Sequence, residues 1–475
     1  MAALACEQLA SLALPSVRIT SAQTVAAATF ADAPNLPAFC RVTATLTPSP
    51  DSDIKMELWL PSADWNGKFQ EVGNGAFNGS IATTALAAGV RRGYATASTD
   101  TGHTGNTASF APGHPEKVAD FGWRAVHQTA VASKAIAAAF YASPPKYSYF
   151  SGCSAGGRQA MKEAQRFPMD FDGIIAGAPG LDWTGRAAQA VRAAQAAQND
   201  ASSQFSKADA QLLHNAVLNA CDDKDGLRDG ILDDPTRCTF DPAALQCVNA
   251  KDASCLARSQ VAVAKLLYSG RINPQSQREI TALARGSELG WTSLGWTASA
   301  RATGLDQFRF VVFGNPAWTI DAFDFDRDIV RAEEADAGTI NALDPNLKPF
   351  FDRGGRLIHY HGWSDPQISP SNSTQYYQRV AAALGGSDAV GANYRLFMAP
   401  GMGHCGGGEG PNSFDALSAL EQWVEHGQAP DQIIASRVVD GRVERTRLLC
   451  PYPQVAVYKG TGDANIAANF VCKTR

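Results

Sequence analysis

Tyr147-Ser148-Tyr149-Phe150-Ser151-Gly152-Cys153-Ser154-Ala155-Gly156-Gly157-Arg158-Gln159 decides how the rest of the sequence is read. Tyr147 to Ser151 is a short run of the kind buried strands use, and Arg158 to Arg166 reads as a helix. Between them, Gly152-Cys153-Ser154-Ala155-Gly156 fits G-x-S-x-G at a strand-to-helix turn, the context in which that motif carries chemistry. So sharp a turn needs small residues on both sides of the serine, and Gly152, Gly156 and Gly157 supply them. A phosphate-binding glycine loop would need a lysine in a GxxxxGK pattern, which this stretch lacks. Ser154 is therefore the predicted nucleophile.

On the N-terminal side, Lys55 to Leu60 and Phe69 to Val72 read as strands and Val118 to Tyr141 as one long helix, the rhythm of a mostly parallel α/β sheet. After the apolar run Phe171 to Ala178 the rhythm stops. From Leu181 to Leu343 the sequence is Ala-rich and helical, with four cysteines and an acidic loop. Strand and helix patterns return at Arg356 to Tyr360, Gln375 to Leu384, Tyr394 to Met398 and Ala416 to His426. The expected fold class is α/β, an α/β-hydrolase core with a large inserted lid domain. Residues 1–180 form the first part of the core, 181–343 the lid and 344–475 the second part.

A serine needs a histidine to take its proton, and the histidine needs a carboxylate to set its tautomer. On this fold both follow the serine, acid first, on loops after later strands. Asp365 in His361-Gly362-Trp363-Ser364-Asp365-Pro366 and His404 in Pro400-Gly401-Met402-Gly403-His404-Cys405 meet that order. His359 and His361 precede any acid of the right placement and read as sheet-end histidines; Asp388 is a rival acid before the last strand. Cys153 precedes the serine and Cys405 follows the histidine, so a working triad brings two cysteines near bonding distance and predicts a disulfide. Two backbone donors are needed for the oxyanion: Ala155 N–H is one, and the turn Gly73-Asn74-Gly75-Ala76 offers Gly75 as the second.

The chain of 475 residues carries 45% hydrophobic and 18% charged residues and a formal net charge of -5, with no Lys/Arg run of the kind nucleic acid or anionic membranes attract. The expected partner is a small ester, with neither nucleic acid nor membrane, and the chain is expected as a monomer or homodimer. Ala125 to Tyr141, the most apolar stretch, is broken by His127, Gln128 and Lys134, too soon for a membrane span. Ten cysteines, none in a CxxC pattern, point to disulfides and an oxidising compartment. Met1 to Ala5 lacks the basic and apolar regions of an export signal, so the expectation is a secreted or periplasmic protein whose signal is absent from this sequence.

In the lid, Cys221-Asp222-Asp223-Lys224-Asp225-Gly226-Leu227-Arg228-Asp229-Gly230-Ile231 crowds four carboxylates into one loop, which like-charge repulsion opposes unless a cation is bound. Calcium is the expected cofactor, although the spacing is not that of an EF-hand.

The chain resembles the tannase and feruloyl esterase family. The resemblance is carried by Arg124-Ala125-Val126-His127, by Tyr149 to Gln159, by Asp170-Phe171-Asp172-Gly173-Ile174-Ile175-Ala176-Gly177-Ala178-Pro179, by the acidic loop, and by the segments holding Asp365 and His404. It implies the triad Ser154, Asp365 and His404 and a disulfide from Cys153 to Cys405. It further implies bridges Cys6 to Cys40, Cys221 to Cys238, Cys247 to Cys255 and Cys450 to Cys472. A structural calcium would sit on the side chains of Asp222, Asp225 and Asp229 and the carbonyls of Leu227 and Ile231. The implied activity is a secreted serine carboxylesterase acting on esters of aromatic acids (galloyl, hydroxycinnamoyl or a terephthalate monoester) through an acyl-enzyme. A serine peptidase of the same fold or a non-catalytic binding homologue are the alternatives. Ile368, Trp296, Arg301 and Phe313 are the expected substrate-contacting residues.

Overall fold

The computed structural model describes residues 3–31, 33–293 and 304–474. The chain forms two compact units, Met1–Ala176 with Gly338–Leu357, and Gly177–Ala337 with Ile358–Arg475.

In the first unit seven strands, β1 (Val17–Val25), β2 (Phe39–Leu46), β3 (Ile54–Pro61), β4 (Lys68–Val72), β5 (Ala95–Thr99), β6 (Tyr147–Cys153) and β7 (Gly173–Gly177), run in the order β1-β2-β3-β5-β4-β6-β7. The pairs β1–β2, β2–β3 and β3–β5 are antiparallel, and β5–β4 and β4–β6 parallel. Every residue of β5 is buried, as a strand covered on both faces requires, whereas the edge strand β1 alternates with solvent and carries a register shift between Ile19 and Ser21.

The helix expected over Val118 to Tyr141 is interrupted. A short helix Pro115–Ala119 opens into a widened π-turn, Asp120–Arg124, before the regular helix Ala125–Tyr141. The wide turn has a use: Arg158, fully buried, donates to the Gly122 carbonyl (2.7 Å), the Phe121 carbonyl (3.2 Å) and the Ile340 carbonyl (3.2 Å). Lys162, one turn further along the helix Ala155–Arg166, donates to the carbonyls of Gly338 (2.8 Å) and Asn341, and Gln165 to that of Ala342 (2.9 Å). Side chains on the helix that follows Ser154 therefore hold the segment at which the chain re-enters the first unit.

Beneath that helix lies a buried acidic cluster. Glu71 on β4 and Glu163 are 0% and 1% exposed, and none of their carboxyl oxygens has a hydrogen-bond partner. Asp170 beside them accepts from His127 Nδ1 (2.6 Å), while Lys134 donates to the Asp170 carbonyl (2.7 Å). Burial, followed by the charge of Asp170, pushes both glutamates well above the ordinary carboxylate range. A raised folded-state value stabilises fully below the unfolded-state value, and that stability is lost as pH rises through the folded-state value. Glu163→Gln, which cannot ionise, is therefore expected to lose less stability than wild type between pH 5 and pH 8, by about 1 kcal/mol or more, one pKa unit's worth. Calorimetric melting across that range is the check, and parallel wild-type and variant curves would show that Glu163 ionises in the fold as it does in the unfolded chain, with no raised value.

The second unit holds the lid and the remaining core strands. Lid helices Trp183–Asn199, Lys207–Cys221, Arg258–Tyr268 and Phe325–Asp336 pack with a two-stranded hairpin, β8 (Arg271–Ile272) and β9 (Glu279–Ile280). One apolar cluster centres on Leu213, Leu256, Leu267 and Trp291, and a second, aromatic one on Phe308, Trp318, Phe323 and Phe325. Strands β10 (Arg356–Gly362) and β11 (Tyr394–Ala399) are neighbours, and the helices Pro370–Ala383 and Ala416–His426 follow them in turn. Disulfides join Cys6 to Cys40, Cys221 to Cys238, Cys247 to Cys255 and Cys450 to Cys472; Cys153 and Cys405 are also disulfide-bonded, and no described cysteine is free.

Candidate active site

Ser154 sits between β6 and the helix Ala155–Arg166 with φ +65° and ψ −121°, a conformation a non-glycine residue adopts only when its surroundings enforce it. The enforcement is close backbone packing. A Cβ on Gly152 would lie 2.4 Å from the Gly156 carbonyl oxygen, and one on Gly73 would lie 2.6 Å from Gly156 Cα. The main chain after β4 thus runs directly against the start of the Ser154 helix.

Donors in that turn can be assigned one by one. Gly73 N–H bonds the Ser151 carbonyl (3.0 Å), Asn74 N–H bonds Gln159 Oε1 (3.0 Å), and Asn74 Nδ2 bonds the Thr99 carbonyl (2.8 Å). Gly75, next along, is exposed, with open space on its Cβ side. Ala155 is 1% exposed at the first position of the helix, where main-chain N–H groups have no partner within the helix.

In the second unit Asp365 and His404 are paired: His404 Nδ1 donates to Asp365 Oδ2 at 2.7 Å. Asp365 is fully buried, and its carboxylate receives three further donors, His361 Nε2 on Oδ2 (3.1 Å) and the N–H groups of Gln367 (2.7 Å) and Ile368 (3.0 Å) on Oδ1. Burial alone would raise this carboxyl, but hydrogen bonds from His361 and His404 outweigh it and hold Asp365 well below the usual carboxylate range. The acid is thus an anion with all four acceptor directions filled, and His404 is left with Nε2 as its basic nitrogen.

His404 lines a cavity of about 370 Å³ together with His214, Leu232, Leu289, Pro366 and Glu409. His214 lies on the lid helix Lys207–Cys221. Its ring bridges Glu288 (Nδ1, 2.7 Å) and Glu409 (Nε2, 2.7 Å), and although burial opposes its charge, these carboxylates raise it to about 9. It is an imidazolium at neutral pH.

The acidic loop also lies in this unit. Asp222 is 4% exposed; Oδ2 accepts the Gly230 N–H (2.9 Å), while Oδ1 has no hydrogen-bond partner. Burial raises its carboxyl, and the charge of Asp229 adds to that. An orphaned buried carboxylate oxygen beside a second carboxylate suits a hard divalent cation. Asp225 accepts the N–H groups of Leu227 (2.9 Å) and Asp233 (3.3 Å), Asp229 pairs with the buried Arg447, and Ile231 is 2% exposed. Among the expected substrate contacts, Ile368 is 2% exposed and Phe313 stacks on Trp318 (5.4 Å) in the lid's aromatic cluster, while Trp296 and Arg301 lie outside the described residues.

Residues 40–473 match the sequence family described as tannase and feruloyl esterase. The chain is 38% identical to an uncharacterized esterase of Xanthomonas campestris, covering 99% of this chain and 91% of that one. It is 35% identical to mono(2-hydroxyethyl) terephthalate hydrolase of Piscinibacter sakaiensis, covering 94% and 87%. The crystal structure of feruloyl esterase B from Aspergillus oryzae superposes with a TM-score of 0.92 at 31% identity, covering 98% and 99% of the two chains.

Proposed function

This chain belongs to the tannase and feruloyl esterase family and is an esterase with an α/β-hydrolase core and an inserted lid, and from that premise we propose that it is a secreted serine carboxylesterase of aromatic acid esters. The observation that carries the reading is the buried Asp365–His404 pair, because a carboxylate so fully held serves to fix an imidazole. In the proposed cycle His404 Nε2 takes the Ser154 hydroxyl proton as Oγ attacks the ester carbonyl. Ala155 and Gly75 N–H groups bind the oxyanion, and the alcohol leaves with the proton. Water, deprotonated by the same nitrogen, then cleaves the acyl-enzyme and releases the acid. A disulfide from Cys153 to Cys405 would tie the nucleophile turn to the histidine loop. Oxidised cysteines throughout the described chain support an extracellular or periplasmic setting.

Turnover of methyl gallate, methyl ferulate and mono(2-hydroxyethyl) terephthalate tests the reading. At least one is expected to be hydrolysed, and inertness toward all three would overturn the aromatic-ester assignment.

Calcium belongs to the same proposal, held by Asp222, Asp225 and Asp229 with the carbonyls of Leu227 and Ile231; its contribution there is structural, neutralising the loop's charge. At free calcium 100-fold above Kd the stabilisation is about 2.7 kcal/mol. Chelation is therefore expected to lower the melting temperature of wild type and leave that of Asp222→Ala unchanged. Equal melting of wild type with calcium and with chelator would argue against a site.

A further inference from the structure

Behind Asp365 runs a line of buried polar side chains that the catalytic cycle does not use. His359 and His361, two apart on β10 and so on one face of the strand, both meet Ser373 of the helix Pro370–Ala383. The Ser373 hydroxyl lies 2.6 Å from His361 Nδ1 and 2.7 Å from His359 Nε2, and His359 Nδ1 lies 2.7 Å from the hydroxyl of Tyr394 on β11. His359, His361, Ser373, Tyr394 and Asp365 are all fully buried.

The direction of every bond in this line follows from its catalytic end. His361 Nε2 faces Asp365 Oδ2 and the Ile368 carbonyl, both at 3.1 Å, and both groups only accept, so that nitrogen carries the hydrogen. In the neutral ring Nδ1 then accepts from the Ser373 hydroxyl. The serine has no second proton, so its oxygen receives His359 Nε2–H, and His359 Nδ1 accepts from Tyr394. Every donor has an acceptor, His361 Nε2–H being shared between Asp365 and the Ile368 carbonyl, and the whole line donates toward Asp365. Burial, which holds His359 well below its ordinary value, agrees with a neutral ring there. The other groups facing the line are Tyr376 and Tyr377, which act on Tyr394, and Arg186 of the helix Trp183–Asn199, which acts on Asp365.

We propose that His361 is a positioning residue for the triad acid, and that Ser373, His359 and Tyr394 fix its tautomer so that a permanent donor holds Asp365 Oδ2 opposite His404. Main-chain N–H groups fix Oδ1, and among the described residues His361 is the donor on Oδ2 besides His404 itself. The proposal rests on the triad reading above. It implies that His361 shares the negative charge of Oδ2 with His404. Removing the donor leaves more of that charge to favour the His404 imidazolium, so the acid limb of activity moves to higher pH.

The experiment compares His361→Ala, His361→Gln, Ser373→Ala and Asp365→Asn, with kcat expressed per active site titrated by a phosphonate ester, so that misfolded protein drops out. His361→Ala is expected to lose about tenfold or more in kcat with little change in KM, and its acid limb is expected to rise by about half a pH unit. His361→Gln, whose amide N–H can still reach Asp365, is expected to recover most of the rate and return the limb to its wild-type position. Ser373→Ala is expected to move both quantities in the same direction by a smaller amount, and it carries the test should His361→Ala not fold. A titrated His361→Ala or, in its place, Ser373→Ala with kcat within twofold of wild type and an unmoved limb would overturn the proposal. An Asp365→Asn enzyme with wild-type kcat would overturn the triad assignment, and this proposal with it.

Discussion

Replacing Ser154 with alanine is expected to reduce kcat/KM for the best ester by a factor on the order of 10⁵ to 10⁶, the size of loss seen when a serine hydrolase nucleophile is removed. The fold should not notice. The backbone at Ser154 is held at φ +65° by the packing of Gly73, Gly152 and Gly156, and alanine meets the same backbone demand as serine. Melting temperature unchanged to within about 2 °C would accompany the loss. Activity falling less than a hundredfold would mean that Ser154 is not the group attacked, because an oxyanion hole and binding alone leave only a small residue of the rate.

The second large effect is expected at Asp365→Asn, about 10³- to 10⁴-fold in kcat, because an amide cannot hold the proton on His404 Nδ1. The local geometry makes this severe. The N–H groups of Gln367 and Ile368 demand an oxygen at the Oδ1 position, so the new amide nitrogen is forced to the Oδ2 side, where His404 Nδ1 and His361 Nε2 both donate. His404 escapes the donor–donor clash by moving its proton to Nε2, the nitrogen that must accept from serine. The double variant Ser154→Ala/Asp365→Asn should be no slower than Ser154→Ala alone, since residues acting as one unit are not additive. A second loss multiplying the first would show Asp365 working independently of the serine.

What the sequence disclosed followed the range of the physics involved. Turn chemistry is local, so Gly152 to Gly156 could be read directly, and strand-end loops placed Asp365 and His404. Sequence marks His359 and His361 as sheet-end histidines but is silent about the serine they share, which comes from a helix that only the tertiary fold sets beside them. His214 was missed because Glu288 and Glu409 are far from it in sequence. The apolar pattern from Val118 to Tyr141 hid the π-turn, whose Gly122 and Phe121 carbonyls accept from the buried Arg158. Arg158 to Arg166 reads as a helix, but nothing local marks its charged Arg158, Lys162 and Glu163 as buried, which all three are. Strands of two residues, β8 and β9, are too short to show any period.

The approach of Gly73 to Gly156 also sets how far this protein can be remodelled. Both proposed oxyanion donors are main-chain groups, so exchanging side chains cannot retune them individually. A methyl group at residue 73 or 152 would collide with backbone rather than with a side chain that can swing aside. Libraries built to broaden substrate range should therefore recover no active clones changed at Gly73 or Gly152. Gly75 faces open space and should accept substitutions that leave its N–H in place. Adaptation to new esters is thus confined to the cavity walls, and the nucleophile turn is inherited whole.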